Sequence, residues 1–341
     1  MRRLTFVIIW LWCGASTAFA QEHSDHDGWS FNLVHENDLF ENGHDRNYTS
    51  GVLLSAVTHR DALKGLEEDI VEATGFEDDF EDVRMEIALS HSMFTPRDLT
   101  IFPPDPDDRP YAGMATLSVG FVGSDEEDGR FDSVTFSLGV VGPSSRADDI
   151  QSWLHEEIRG VDPIGWPAQI DDRIVGGVAY QQTRRAPWFG GPGAPFDVFG
   201  HAGFSLGTIQ TNVSIGASLR VGYNRPVSFG LPRLSPSVPG SGYFTSPHNA
   251  GWYAFVGGEQ RYVAYDVGLD ENPTFGPSNI SRRDFVGDLQ AGVMAYWGPV
   301  RVSYTHIWRS EQFRSQQEGD GFGAVAIGVS TGWGAARGLH N

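Results

Sequence analysis

Residues 132–141 read DSVTFSLGVV and give the clearest indication of the fold. The apolar side chains of Val134, Phe136, Leu138 and Val140 alternate with small or polar ones. One face of an extended strand would then suit lipid and the other a polar interior. Alternation of this kind over about ten residues is typical of transmembrane β-barrel strands.

The same alternation recurs along the chain between turn-rich stretches. It predicts twelve strands, near residues 29–36, 49–58, 83–93, 111–122, 131–141, 173–183, 196–207, 212–224, 251–261, 284–297, 299–312 and 322–333. In the strand near 83–93, His91 interrupts an otherwise apolar face. An even count lets the sheet close without an edge. We therefore expect an all-β fold, a closed antiparallel transmembrane barrel of about twelve strands, over residues 21–341.

The N-terminus has the pattern of a secretory signal peptide. Arg2 and Arg3 precede an apolar run over 4–12, and small residues follow up to Ala20. We expect cleavage after residue 20 and export from the cytoplasm. The only cysteine, Cys13, lies inside this segment, so the mature chain has no thiol for disulfide or thiolate chemistry.

The chain is strongly acidic, with a formal net charge of −20 at pH 7. Removal of the two signal-peptide arginines makes the secreted part more acidic still. Nucleic acid is therefore an unfavourable partner. Near an anionic lipid surface, carboxylates need bridging divalent cations, which is a first indication of Ca²⁺ or Mg²⁺.

Loop lengths predict the orientation of the barrel, because such barrels join short periplasmic turns to longer outer loops. We expect the turn at 298–299 and the stretch 208–211 to be periplasmic, together with a small acidic helix over 60–81. The expected outer loops are 37–48, 94–110, 142–172, 184–195, 225–250, 262–283 and 313–321.

The loop 142–172 is predicted to contain a short helix. Its apolar stripe consists of Ile150, Trp153, Leu154 and Ile158. Ser144 or Ser145 would cap its start. Gln151 and His155 are four residues apart and share another face, so His155 would face a cleft between the helix and the barrel wall.

Three polar clusters are then expected at one rim, formed by 37–49, 94–113 and 142–172. Polar groups that converge from separate strands at one end of a rigid barrel are the expected layout of a surface active site.

The sequence blocks at this rim resemble the lipid A 3′-O-deacylase family of outer-membrane enzymes. The matching blocks are 36–38, 45–51, 95–98, 108–113, 139–143, and His155 through Trp166. The resemblance covers about 37 to 173 in the family's order and fades to barrel pattern afterwards.

The resemblance implies a Ca²⁺-dependent esterase site between the barrel wall and an outer-loop helix. Asn37 and Asp38 match the family's asparagine–aspartate pair, Thr49 its threonine, and His155 its catalytic histidine.

Two positions depart from the family pattern. Its acidic residue after the histidine falls at Val161 in an ungapped match, and a shift of one residue puts Asp162 there. Its lysine in the second outer loop has no counterpart, so Arg97 or Arg109 would bind substrate instead.

The expected activity is hydrolysis of the ester-linked 3′-acyloxyacyl chain of lipid A. His155 would be the base, and Ca²⁺ held by Asp38 and Asp162 would polarise the ester. Lipopolysaccharide in the outer leaflet is the expected partner, the protein is expected to be a monomer, and no nucleophile-elbow serine is expected to take part. Two alternatives stay open, namely a phospholipase-like acyl hydrolase that acts on glycerolipids and a non-catalytic barrel.

Overall fold

The computed structural model describes residues 28–38, 47–59, 62–63, 65, 80, 82–125, 128–158, 161–190, 194–225 and 249–331. The predicted signal peptide lies outside these residues, as does nearly all of the helix predicted for 60–81. No helix in the described part of the chain is long and apolar enough to cross a membrane.

Twelve antiparallel strands close into one barrel in which each strand pairs with its sequence neighbours. The strands are β1 (Ser30–Asn37), β2 (Asn47–Val57), β3 (Asp82–Thr95), β4 (Ala112–Asp125), β5 (Arg130–Val141), β6 (Arg173–Gly190), β7 (Phe196–Gly207), β8 (Gln210–Tyr223), β9 (Ala250–Asp266), β10 (Phe285–Trp297), β11 (Val300–Arg309) and β12 (Asp320–Ser330). Closure comes from β1 against β12, where Asn37 lies opposite Gly323. The predicted fold class and strand count are confirmed.

The two faces of the sheet differ as the alternation predicts. In β8, Val213, Ile215 and Val221 are 46 to 67 % exposed on the outward face, whereas Asn212 and Arg220 are buried in the lumen. An apolar exterior around a polar interior is the arrangement that a bilayer requires of a barrel.

Buried ion pairs occupy the lumen. Asp288 accepts hydrogen bonds from Arg309 at 2.9 Å and Arg261 at 3.0 Å, and Arg261 also binds Glu259 at 2.8 Å. Removing one partner of such a pair typically costs about 3–5 kcal/mol, because a buried charge is left behind. A cavity of about 160 Å³ lies beside this network. Paired charges therefore fill this described part of the lumen, which argues against a wide channel.

Two of the predicted outer loops lie at the wrong end of the barrel. The connections β6–β7 (191–195) and β8–β9 (224–249) are at the end opposite the β1–β2, β3–β4 and β5–β6 connections. The short β7–β8 connection, expected to be periplasmic, lies at the same end as these three. Loop length misled the assignment, because in an antiparallel barrel the side of a connection depends only on strand order.

Helix α1 (Ala147–Ile158) lies in the β5–β6 connection, and the four-residue helix α2 (Val267–Asp270) follows β9. The predicted serine cap is wrong, since Arg146 directly precedes α1 and its carbonyl accepts from Ile150 N. The Ser144 hydroxyl instead donates to Asp172, and the Ser145 hydroxyl donates to the carbonyl of Gly142. Ser144 thereby ties the start of the loop to its end, and Ser145 closes a turn at its start.

Candidate active site

The segments predicted to form the rim come together at one end of the barrel, here called the site end. It is formed by the β1–β2, β3–β4 and β5–β6 connections, which join six consecutive strands. The connection that carries α1 therefore lies at the same end of the barrel as the end of β1 and the start of β2.

Helix α1 packs on the outward side of the barrel wall, and strand β3 gives the evidence. Ser92 and Phe94 line the lumen cavity, while Leu89 is 55 % exposed outside. Alternation then puts His91 and Met93 on the outward face. These two side chains are the ones that contact the α1 connection, so the helix lies against the exterior of the barrel.

Two contacts hold the connection on this exterior. The Nε2 atom of His91 lies 3.0 Å from the carbonyl oxygen of Ser145, to which it can donate. Met93 shares a buried cluster with Ala147, Tyr111 and Trp166.

The polar face of α1 is turned to the wall. Gln151 is 1 % and His155 8 % exposed, whereas Ile150 and Trp153 are 39 and 60 % exposed. Trp166 fixes this rotation, because its Nε1 donates to Gln151 Oε1 at 2.7 Å.

His155 is held by the backbone. Its Nδ1 donates to the carbonyl oxygen of Val161. A carbonyl can only accept, so Nδ1 carries the ring proton and Nε2 is the basic nitrogen of the neutral ring. Val161 is the position where an ungapped match places the family's acidic residue, and here its main-chain oxygen contacts the histidine.

The end of β1 and the start of β2 bring three other predicted site residues together. Asn37, Asp38 and Thr49 are buried, with 5 % or less of each exposed. Thr49 lies in a β-bulge of β2, and its hydroxyl oxygen is 2.7 Å from that of Thr95. The bulge turns Thr49 toward β3, the strand that supports α1.

Strand register relates these residues to the helix. Ser50 lies opposite Asn37 on one side and opposite Met93 on the other. Asn37 is therefore two strands, about 10 Å, from the residue against which the α1 connection packs. The outward surface between them is the candidate cleft.

The described residues do not form an acidic metal centre. Asp162 is exposed, in contrast to the buried Asp38. No group of three or more His, Cys, Asp or Glu side chains in the described part of the chain is arranged to hold a metal. A cation here would depend largely on neutral oxygen donors.

The two candidate arginines differ in location. Arg97 is exposed at the site end and pairs with Glu318 at 2.9 Å. Arg109 is 1 % exposed in the lumen, where it stacks on Phe94 and donates to Gln312 at 2.9 Å. The expected substrate contact of Arg109 is therefore corrected, because its side chain lies on the opposite side of the wall from His155.

Two stretches fit the pattern Gly-x-Ser-x-Gly, at 203–207 and 328–332. Ser205 lies within β7, and its hydroxyl donates to the carbonyl of Gln210 at 3.1 Å. Ser330 ends β12. Neither serine sits on the strand–turn–helix that a nucleophile elbow requires.

Sequence reasoning missed three residues that determine where α1 lies. His91 and Trp166 contact the α1 connection, and Gly113, which has no side chain, leaves room for Ser145 and Ala147. The interrupted apolar face at His91 was a usable indication, because a polar side chain on a lipid-facing position usually has a specific partner. Nothing in the sequence indicates that Gly113 must lie against the loop.

Replacing Trp166 with phenylalanine should loosen the α1 connection. The ring contact with Tyr111 is largely kept, but the hydrogen bond to Gln151, worth about 1 kcal/mol, is lost. We expect several-fold faster proteolysis within 142–172 in the purified barrel, measured by mass spectrometry of the fragments. Trp153→Phe, on the exposed face of α1, is the control and should be cleaved like the parent. Equal cleavage of the parent and Trp166→Phe would contradict the assigned role.

Comparison with known proteins agrees with this architecture. The family model described as outer membrane protein LpxR matches residues 6–331. The structure of LpxR from Salmonella typhimurium is similar with a TM-score of 0.72 at 16 % identity, covering 88 % of this chain and 99 % of that chain. The translocator domain of autotransporter NalP from Neisseria meningitidis reaches a TM-score of 0.39 at 10 % identity, with 96 % and 95 % covered. No curated protein sequence matches.

The family match extends over nearly the whole chain, including every described strand. The Salmonella structure has the same fold over almost its full length. This chain belongs to the LpxR family of Gram-negative outer membrane proteins.

Proposed function

We propose that this protein is a lipid A deacylase that hydrolyses the ester-linked 3′-acyloxyacyl chain with water. The observation that carries the proposal is the position of His155. It is buried between helix α1 and the outward face of the barrel, with Nδ1 committed to the Val161 carbonyl. A base in this place can act on a lipid that lies beside the barrel.

In the proposed mechanism His155 removes a proton from the attacking water through Nε2. The Val161 carbonyl keeps the second ring proton on Nδ1 and stabilises the imidazolium that forms. The same nitrogen then returns the proton to the sugar oxygen as the ester bond breaks. Water and ester are thereby converted to a free fatty acid and a sugar hydroxyl, with no covalent intermediate.

Oxygen donors at the end of β1 suit a hard cation. Asp38 supplies a buried carboxylate, and the neighbouring Asn37 and Thr49 offer neutral oxygens. We propose Ca²⁺ as the cofactor, held by Asp38 as the main charged ligand, with Asp162 as a second candidate. When bound, Ca²⁺ would polarise the ester carbonyl and stabilise negative charge on its oxygen. Asn37 and Thr49 would orient the ester and the water.

The substrate is proposed to lie against the exterior at the site end, which we orient toward the outer leaflet. The exposed Ile150 and Trp153 of α1 would contact acyl chains. Arg97, exposed beside Glu318, would bind a lipid A phosphate.

Mass spectrometry of lipid A tests the reaction directly. Cells that produce the protein should yield lipid A lighter by one ester-linked acyloxyacyl group, and purified protein should release the corresponding fatty acid. Unchanged lipid A together with fatty acid release from phospholipids would favour the glycerolipid hydrolase instead.

Calcium removal should abolish the activity reversibly. Because few carboxylates are available, we expect half-maximal activity at about 10⁻⁴ to 10⁻³ M free Ca²⁺, the range of weakly charged sites. Asp38→Asn should raise that concentration at least tenfold in a calcium titration. Asp98→Asn, an exposed carboxylate of the β3–β4 connection, is the control and should titrate like the parent. Full activity of the parent in EDTA would refute the cation.

A further inference from the structure

Two histidines lie on the outward face one step below the candidate cleft. His35 on β1 is opposite Val52 on β2, and Val52 is opposite His91 on β3. The next row toward the middle of the barrel contains Leu33, Leu54 and Leu89. Leu54 and Leu89 are more than half exposed, as lipid-facing residues should be. On these three strands the two histidines are therefore the last polar side chains before the apolar band.

An imidazole on such a surface needs a polar partner, because a ring nitrogen without a hydrogen bond in an apolar medium costs free energy. His91 has one in the Ser145 carbonyl at 3.0 Å. The Nε2 atom of His35 is 3.4 Å from the Ser50 hydroxyl, a long hydrogen bond. Among the described residues Ser50 is the only hydrogen-bond partner of His35. His35 is also partly exposed, so its ring is accessible from outside the barrel.

The depth of His35 in the membrane matches the depth expected for one oxygen atom of the proposed substrate. Two residues along a strand span about 6.6 Å, so a strand tilt of about 40° puts His35 roughly 5 Å deeper than Asn37. In an acyl chain that runs into the membrane, the oxygen on carbon 3 is three covalent bonds beyond the ester carbonyl carbon, about 4 Å. An ester held at Asn37 would thus bring this oxygen to His35.

We propose that His35, together with Ser50, binds the oxygen on carbon 3 of the acyl chain and makes the site selective for 3-hydroxyacyl and 3-acyloxyacyl esters over plain fatty acyl esters. This inference rests on the proposed function and names the feature of the substrate that is recognised. A neutral imidazole both donates and accepts, so it can bind a free hydroxyl or the ester oxygen of an acyloxy group.

Two synthetic glucosamine esters test the inference, one with a 3-hydroxytetradecanoyl chain and the other with a tetradecanoyl chain. Binding to the mature barrel in mixed micelles is measured in a His155→Ala background, and hydrolysis is measured with His155 intact. We expect the 3-hydroxy ester to bind about five- to tenfold more tightly, as for one neutral hydrogen bond. His35→Leu should remove this preference without weakening the plain ester, and His35→Gln should keep part of it.

The control is His306→Leu, which changes a histidine on β11 whose ring packs against that of Trp308. It should leave the preference unchanged. Leucine suits a lipid-facing position, so His35→Leu should retain heat-modifiable migration on gels.

Equal binding of both esters by the parent, or a preference that survives in His35→Leu, would overturn the inference. Selective binding that is lost in His35→Leu, without hydrolysis of either ester, would support the inference and reject the proposed reaction. Selective binding and selective hydrolysis that are both lost in His35→Leu would support the two together.

Discussion

His155→Gln should lower kcat for lipid A deacylation by about 10² to 10⁴-fold, the usual contribution of a general base. Glutamine is similar in length and can still donate to the Val161 carbonyl, but it has no basic nitrogen. The rate of fatty acid release from purified lipid A gives the measurement. KM should change little, because the substitution leaves the other site residues in place.

The matched control is Glu156→Gln, which removes a charge from the next residue of α1 at an exposed position. It should retain the parent rate. Heat-modifiable migration on gels should be identical for the parent and both variants, because neither residue belongs to a barrel strand. A His155→Gln variant with the parent kcat would show that the base is another group.

Gly113→Ala should reduce kcat/KM about 100-fold although Gly113 has no chemical role. A methyl group at Gly113 would overlap the side chains of Ser145 and Ala147 at the start of the α1 connection. The Ser145 hydroxyl can rotate away, but Ala147 Cβ is attached to the helix, so α1 must move by about 1 Å to reach ordinary contact. Displacement of a catalytic group by this distance can cost about 10²-fold in rate.

Gly200→Ala is the control for this prediction. Gly200 lies in β7, and a methyl group there would meet nothing within 4 Å. Its activity should equal that of the parent, which separates crowding at α1 from a general effect of alanine in a strand. Unchanged activity in Gly113→Ala would mean that the position of α1 does not determine the rate.

The barrel itself was predictable because lipid and lumen impose a two-residue period on each strand separately. Residues 132–141 indicate a strand without knowledge of the rest of the chain, and β5 lies there. The end of the barrel at which each connection lies was harder to predict. The 225–250 region was assigned to the outer side from its length, although strand order puts it opposite the site end.

The candidate site was predictable only as a set of residue types at one rim. Asp108-Arg109-Pro110 does not reveal that the guanidinium turns into the lumen, because that depends on Phe94 and Gln312 from other strands and loops. The partner of His155 was also beyond sequence reasoning. Any residue can supply a main-chain oxygen, so the identity of residue 161 does not indicate that its carbonyl binds His155.

Because α1 lies outside the wall, the proposed reaction would take place in the surrounding lipid. Substrate reaches such a cleft by lateral diffusion in two dimensions and never crosses bulk water. The rate should then depend on the mole fraction of substrate in the surface rather than on its molar concentration. Dilution with inert detergent at constant substrate and protein would slow the reaction, whereas dilution with buffer would leave the rate per protein molecule nearly unchanged.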